Sequence, residues 1–285
     1  VDNSGLFGKN RPFKGKEVFL FSLFLICFIF NAYAVKGKSF LKESSSDTLT
    51  VMTYNIHHGR GIDGNIDLNR ISTVINQAKA DIVTLQEVDI KTERSGGVDI
   101  LEVLSSKTDL KHTVFGMNLE FDGGEYGNAI LSRYPLENYQ NHHFENISGE
   151  QRGVLTAIID VDEKDFLIIN THLDHTEHDD SERVLYAENI RDKILPFYKD
   201  IPTVFAGDLN DVPGSKTYQI INSSLFDAWT AAGKGEGFTI PVDQPAKRID
   251  YIFHTAHLKP LCAKVVQSEA SDHLPVVVTF LYIND

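Results

Sequence analysis

Ser271-Asp272-His273-Leu274-Pro275-Val276-Val277-Val278-Thr279-Phe280 sets a carboxylate and an imidazole directly ahead of an apolar, β-branched run. Valine and phenylalanine in such a run favour a strand. The two polar side chains are therefore expected at the mouth of a strand. There, an adjacent carboxylate and imidazole can share the holding of a metal and the movement of a proton. The dipeptide alone is a weak sign. It gains weight because other apolar segments also end in polar groups: Met52-Thr53-Tyr54-Asn55, Val83-Thr84-Leu85-Gln86-Glu87, Ile169-Asn170-Thr171-His172, Phe205-Ala206-Gly207-Asp208-Leu209-Asn210 and Arg248-Ile249-Asp250-Tyr251.

Working outward, strand and helix signals alternate along the chain. Strands are expected over 48–56, 81–85, 112–117, 127–132, 154–161, 166–171, 202–206, 249–253 and 274–281. Asp67 is a natural N-cap for a helix carrying Leu68, Ile71, Val74, Ile75 and Ala78 at helical spacing. Further helices are expected over 98–106, 180–195 and, more briefly, 214–221. Strands outnumber helices and several are consecutive, which argues against a doubly wound parallel sheet. Two sheets face to face with helices outside each would bury these apolar faces.

Each polar strand end has an ordinary reading on its own. Asn55 can cap a turn, Glu87 can be solvated, and Gly207-Asp208-Leu209-Asn210 has turn chemistry. Together they form an oxygen-rich pocket with two histidines. Hard ligands of that kind suit Mg²⁺ or Mn²⁺ over Zn²⁺, and such an ion beside a base fits phosphoester hydrolysis.

Read in order, Thr53-Tyr54-Asn55, Leu85-Gln86-Glu87, the run from Gly127 to Pro135, Asn170-Thr171-His172, Gly207-Asp208-Leu209-Asn210, Arg248-Ile249-Asp250-Tyr251 and Ser271-Asp272-His273-Leu274-Pro275 resemble the endonuclease/exonuclease/phosphatase superfamily, spanning residues 49–281. Asn55 through Gly61 is most similar to the bacterial metal-dependent hydrolase branch. The resemblance implies an α/β protein, a four-layer α/β/β/α sandwich of two mainly antiparallel sheets. It implies a metal held by Glu87, with Asn55 beside it and Asp272 near it or near a second metal. It assigns His273, polarised by Asp250, as the base, or alternatively Asp208. Asp208 and Asn210 would position water and phosphate, and His172 would donate to the phosphate as charge builds.

Lys9, Arg11, Lys14 and Lys16 precede an apolar run from Val18 to Phe30, broken by Ser22, and then Ala32-Tyr33-Ala34. This reads as a secretory signal over 1–34. The run is short for a span of about 20 residues, so an N-terminal anchor is the lesser reading. Residues 35–47 read as a linker and 48–285 as the domain. The product would be periplasmic or extracellular. Its cysteines, Cys27 and Cys262, would leave no intrachain disulfide after cleavage.

The chain of 285 residues carries a net charge of −13. Such a surface repels polyanions, whereas nucleic-acid binders use several Lys and Arg contacts to phosphates. The expected substrate is a small or lipid-linked phosphoester. An extracellular nuclease is the alternative, and a catalytically silent binding protein on the same scaffold a third reading. Membrane contact has no sequence support, since Phe121-Asp122-Gly123-Gly124 is too polar to insert. A monomer is expected. His172, His175 and His178 invite a zinc reading, but His172 ends a strand and Asp179-Asp180-Ser181 looks like a helix start. His57, His58, His142 and His143 are expected at the rim, Phe226 and Trp229 in the core. Loops 57–66, 118–127 and 173–180 are expected to contact the substrate.

Overall fold

A computed structural model describes residues 48–147, 149–176 and 178–282. The expected signal and linker lie outside the described residues. Twelve strands form two six-stranded sheets. The first has the order β11 (Leu258–Val265), β12 (Val276–Tyr282), β1 (Thr48–Asn55), β2 (Ile82–Ile90), β4 (Gly124–Ser132), β3 (His112–Phe121). The second has the order β5 (Leu136–His142), β6 (Val154–Asp160), β7 (Asp165–His172), β8 (Thr203–Asp208), β10 (Asp250–His254), β9 (Phe226–Asp227).

Each sheet has a single parallel pair at its centre, β1–β2 in one and β7–β8 in the other, and the remaining neighbours are antiparallel. A parallel pair requires a long crossover, which α1 (Leu68–Ala78) provides in the first sheet. In the second it is α3 (Ser181–Asn189), continued by a π turn and a 3₁₀ turn to Tyr198. The sheets thus repeat one topology without a repeat that the sequence displays.

Three apolar clusters define four layers. One lies between the sheets, with Leu49, Val51 and Ile82 facing Ile168, Ala206 and Ile252. A second packs Met52, Val83 and Leu85 under Ile71, Val74 and Leu104, the last from α2 (Ile100–Lys107). A third packs Leu167, Phe205 and Phe253 under Val184, Ala187 and Ile220, the last from α4 (Lys216–Asn222). The period of two along each strand sends alternate residues to the inner and outer clusters. The four-layer sandwich expected from sequence is the observed fold. The first helix starts where expected, with the Asp67 carboxylate accepting from the Asn69 amide at 2.9 Å.

Several expectations need correction. β5, β9, β11 and the short α5 (Ala228–Ala232) were not expected. β5 and β11 are edge strands, where polar side chains are tolerated, and Pro260 of β11 sits at a register shift. Segment 118–127 is mostly a hairpin: Asp122 and Gly123, at φ 48° and 76°, turn β3 into β4, an Asp-Gly turn of the sort hairpins favour. Phe226 is exposed rather than core, while Trp229 packs partly buried against the inter-sheet cluster. Among the described residues no helix is long and apolar enough to cross a membrane.

Candidate active site

The site grows out of the inward-facing rows of the sandwich. On β1, Leu49 and Val51 face the opposite sheet, and the same parity carries on through Thr53 to Asn55. On β7 the row Phe166, Ile168 continues through Asn170 to His172, and on β8 the row Val204, Ala206 ends at Asp208. On β10, Asp250 shares the parity of Ile252. Each row is apolar in the middle and polar where it reaches the rim. Pairing register then places Asp208 directly opposite both His172 and Asp250. The loop leading into β12 supplies His273 at the same rim.

Glu87 breaks this rule. Val83 and Leu85 face the outer cluster, so plain alternation would send Glu87 under the helices. β2 does not end at Leu85 as expected but continues to Ile90, with a register shift between Leu85 and Val88. Glu87 sits in that bulge at φ 56°. The extra residue inverts parity, so Val88 returns to the outer cluster and Glu87 turns toward Asn55. Bulges often re-aim a side chain at an active site in this way.

Hydrogen bonds join the sequence-predicted residues. The Asn55 amide donates to Glu87 Oε1 at 3.0 Å and to Asp208 Oδ2 at 3.1 Å. The Asn210 side-chain amide bridges His172 Nε2 and the Leu173 carbonyl, each at 3.0 Å. Its backbone amide donates to Asp208 Oδ1 at 2.8 Å, an Asx turn that suits the left-handed Asn210 (φ 49°). His273 Nδ1 lies 3.0 Å from Asp250 Oδ2, and its Nε2 lies 3.8 Å from Asp208 Oδ2. His172 Nε2 is 3.6 Å from the same Asp208 oxygen. Asp272 stands further out: its carboxylate is half exposed and reaches the network through His57 Nδ1 at 3.6 Å. Ser271 Oγ donates to the Asn55 carbonyl at 2.7 Å, tying the approach to β12 onto the end of β1.

The electrostatics follow from burial and crowding. Burial, and then the neighbouring Asp250 carboxylate, push the Asp208 carboxyl up to about 7. Burial alone would lower His273, but the Asp250 and Asp208 carboxylates outweigh it and raise it to about 10. His172 is driven well below its usual range by burial and then by the Arg152 charge.

Asp208 and Asp250 are buried, and Asp250 Oδ1 has no hydrogen-bond partner. Among the described residues no lysine or arginine ion-pairs with Glu87, Asp208 or Asp250. Asp208 and Asp250 share the charge of His273, whereas Glu87 has no such partner and fits a divalent cation. His172, His175 and His178 do not gather as a zinc reading requires: His172 is buried on Asn210, while His175 and His178 are exposed.

Sequence reasoning missed three supports. Gln86 on β2 donates to Asn170 Oδ1 on β7 at 2.7 Å, and Asn170 donates to the Leu85 and Ala129 carbonyls at 2.8 Å each. This clamp joins the two sheets immediately beneath the site. Arg152, 1% exposed, ion-pairs with Glu150 at 3.0 Å and donates to His175 Nδ1 at 3.0 Å. Its signal was the same as that of the others, a polar residue heading an apolar strand. His58, expected at the rim, is buried, and burial together with the Arg94 charge lowers it to about 4.

A strand-end network of this composition on two facing sheets defines a class of phosphoester-hydrolysing proteins. Residues 52–273 match the Endonuclease/Exonuclease/phosphatase family, and the chain belongs to it. It is similar to YbhP of Escherichia coli K12, with 30% identity over 223 residues, covering 74% of this chain and 86% of that one. A solved endonuclease/exonuclease/phosphatase from Beutenbergia cavernae superposes with a TM-score of 0.66 at 26% identity, covering 82% of this chain and 72% of that one. The mannosyl-6-phosphatase Bt3783 of Bacteroides thetaiotaomicron shares the fold, with a TM-score of 0.67 at 18% identity over 82% of this chain and all of that one. The chain is accordingly a phosphoesterase- or nuclease-like hydrolase.

Proposed function

We propose that this chain is an exported, divalent-cation-dependent phosphoesterase acting on a small or lipid-linked phosphoester. The observation that carries the reading is the continuous network from Glu87 through Asn55 to Asp208, Asp250 and His273. A cation of the Mg²⁺ or Mn²⁺ class held by Glu87, with Asn55 and Asp272 near it, would polarise a phosphoryl oxygen. Asp208, which faces His273 across 3.8 Å, takes the proton of the attacking water, while His273, raised to about 10 by the Asp250 and Asp208 carboxylates, stays protonated and offsets the negative charge that develops. Asp250 fixes the His273 ring by holding its Nδ1 side. His172, held in place by the Asn210 amide, would donate to the phosphoryl oxygens as charge develops on them.

The surroundings support a substrate of limited size. A cleft of about 690 Å³ opens beside His57 and Asp272, walled by Ile62, Ile240, Pro241 and Val242 with Arg60 at its edge. Apolar walls and one cation suit a compact group better than a polyanionic strand, as does the net charge of −13. The N-terminal basic and apolar pattern supports export, which periplasmic and culture-medium fractionation tests.

The decisive experiment is hydrolysis of bis-p-nitrophenyl phosphate, phosphomonoesters, sphingomyelin, phosphoinositides and DNA, each with Mg²⁺, Mn²⁺ and EDTA. Cation-restored turnover of a small or lipid-linked ester is expected. Turnover that survives full chelation refutes the cation requirement. DNA as the preferred substrate would make the protein a nuclease.

A further inference from the structure

His57 and His58, neighbours in one 3₁₀ turn (His57–Gly59), converge with Glu87 of β2. One ring nitrogen of each histidine and a Glu87 carboxylate oxygen lie within 4.8 Å of one another. Donors at about 2.1 Å from one tetrahedral cation stand about 3.4 Å apart. Side-chain rotations that draw the three together by at most about 1.4 Å bring them onto one ion. The two imidazoles meet edge to face, with centroids 4.5 Å apart.

A second observation points the same way. His58 is 6% exposed, and its Nδ1 is shielded from solvent without a hydrogen-bond partner. His57 Nδ1 is likewise shielded and has no hydrogen-bond partner, facing the Asp272 carboxylate at 3.6 Å. Buried polar atoms are normally satisfied, and an unsatisfied one in a native structure points to an absent ion or water. All three residues also occupy the left-handed backbone region, His57 and His58 at φ 45° and Glu87 at φ 56°, which few non-glycine residues adopt.

We propose that His57 and His58 join Glu87 as ligands of a transition-metal ion, forming a mixed nitrogen–oxygen site that favours Mn²⁺, Co²⁺ or Zn²⁺ over Mg²⁺. Imidazole suits transition ions, whereas Mg²⁺ takes oxygen ligands and keeps much of its water. The inference rests on the reading that Glu87 faces the catalytic cation, and it adds the two ligands that choose which ion sits there. The Asp208–Asp250–His273 group lies on the other side of Asn55, which donates to both Glu87 and Asp208. Imidazoles at 57 and 58 therefore enlarge the site without displacing that group.

The test is spectroscopic and uses the full chain. Mn²⁺ or Co²⁺ is titrated into chelator-treated protein, and pulsed electron paramagnetic resonance of the Mn²⁺ form reads nitrogen coupling to the ion. Wild type is expected to show imidazole nitrogen coupling and to bind Co²⁺ at least about tenfold more tightly than His57→Gln/His58→Gln, in which the coupling disappears. Circular dichroism confirms that the variant is folded, and the single variants stand in if it is not. His273→Gln is expected to keep the coupling, and the exposed His112→Gln to behave as wild type. Loss of the coupling in His273→Gln but not in the double variant overturns the proposal. Oxygen-only coordination with hydrolysis intact overturns it while leaving the phosphoesterase reading standing. Nitrogen coordination without hydrolysis of any ester does the reverse.

Discussion

Asp208 is the residue on which the site turns. It accepts from Asn55, anchors the Asn210 turn, and stands opposite His172 and Asp250 in two ladders. Replacing its carboxylate by an amide keeps the shape and removes the proton acceptor. Asp208→Asn is expected to lower kcat by about 10²–10⁴, the usual contribution of a positioned acid or base, with a smaller change in KM. Steady-state kinetics with bis-p-nitrophenyl phosphate checks this, and near-normal kcat would remove Asp208 from the chemistry. His273 gives a stability prediction for the metal-free protein. Its pKa is raised on folding, from an unfolded value of about 6.5 to about 10. The folded state holds the extra proton in that interval, so the stabilisation is complete below about pH 6.5 and is lost as pH rises toward 10. Denaturant midpoints measured in EDTA across this range should fall with rising pH, and His273→Gln should flatten the slope. An identical slope in the variant would show that His273 is not the cause.

At the scale of elements, parity explains both what was legible and what was not. Asn55, His172, Asp208 and Asp250 continue alternating apolar rows, so a polar residue at the end of each strand marked the rim correctly. Glu87 looked equivalent in sequence, yet it reaches the site only because a bulge inverts parity after Leu85. A bulge depends on the partner strand, here β4, and leaves little trace in the sequence of β2 itself. The polar edge strands β5 and β11 were missed for a related reason: one neighbour and a wet face impose no apolar pattern. The Gln86–Asn170 clamp is a cross-sheet feature of the same kind. Asn170→Ala would leave Gln86 and the Leu85 and Ala129 carbonyls without these partners. A loss of about 3 kcal/mol in denaturant unfolding is expected. A loss below about 1 kcal/mol would mean that the sheets are held by apolar contact alone.

For the whole molecule, the repeated topology has a functional consequence. Two sheets of the same strand pattern bring the ends of β1, β7 and β8 and the starts of β10 and β12 to one rim, where carboxylates from separate parts of the chain crowd together. A bound divalent cation relieves that crowding only in the folded state. Mn²⁺ at about a hundredfold excess over its Kd should therefore stabilise the protein by about 2.7 kcal/mol. This is read as a rise in Tm that EDTA reverses and that Glu87→Ala reduces. An unchanged Tm with saturating Mn²⁺ would show that the site does not hold an ion.

The sequence by itself determined the class of fold, the order of the motifs and the residue types at the rim, because alternating apolar rows and their polar ends are local features of each strand. Only the tertiary structure decided how those ends meet. It turned Glu87 inward by a bulge and set Asp208 between His172 and Asp250 by register. It also moved His58 from the expected rim into a buried position beside Glu87. These are relations between strands distant in the chain, fixed by pairing and packing across the two sheets, and no single segment encodes them. The Asp272-His273 pair shows the division most clearly: its residues are neighbours in sequence, yet His273 joins Asp250 and Asp208 in the interior while Asp272 faces His57 at the mouth of the cleft.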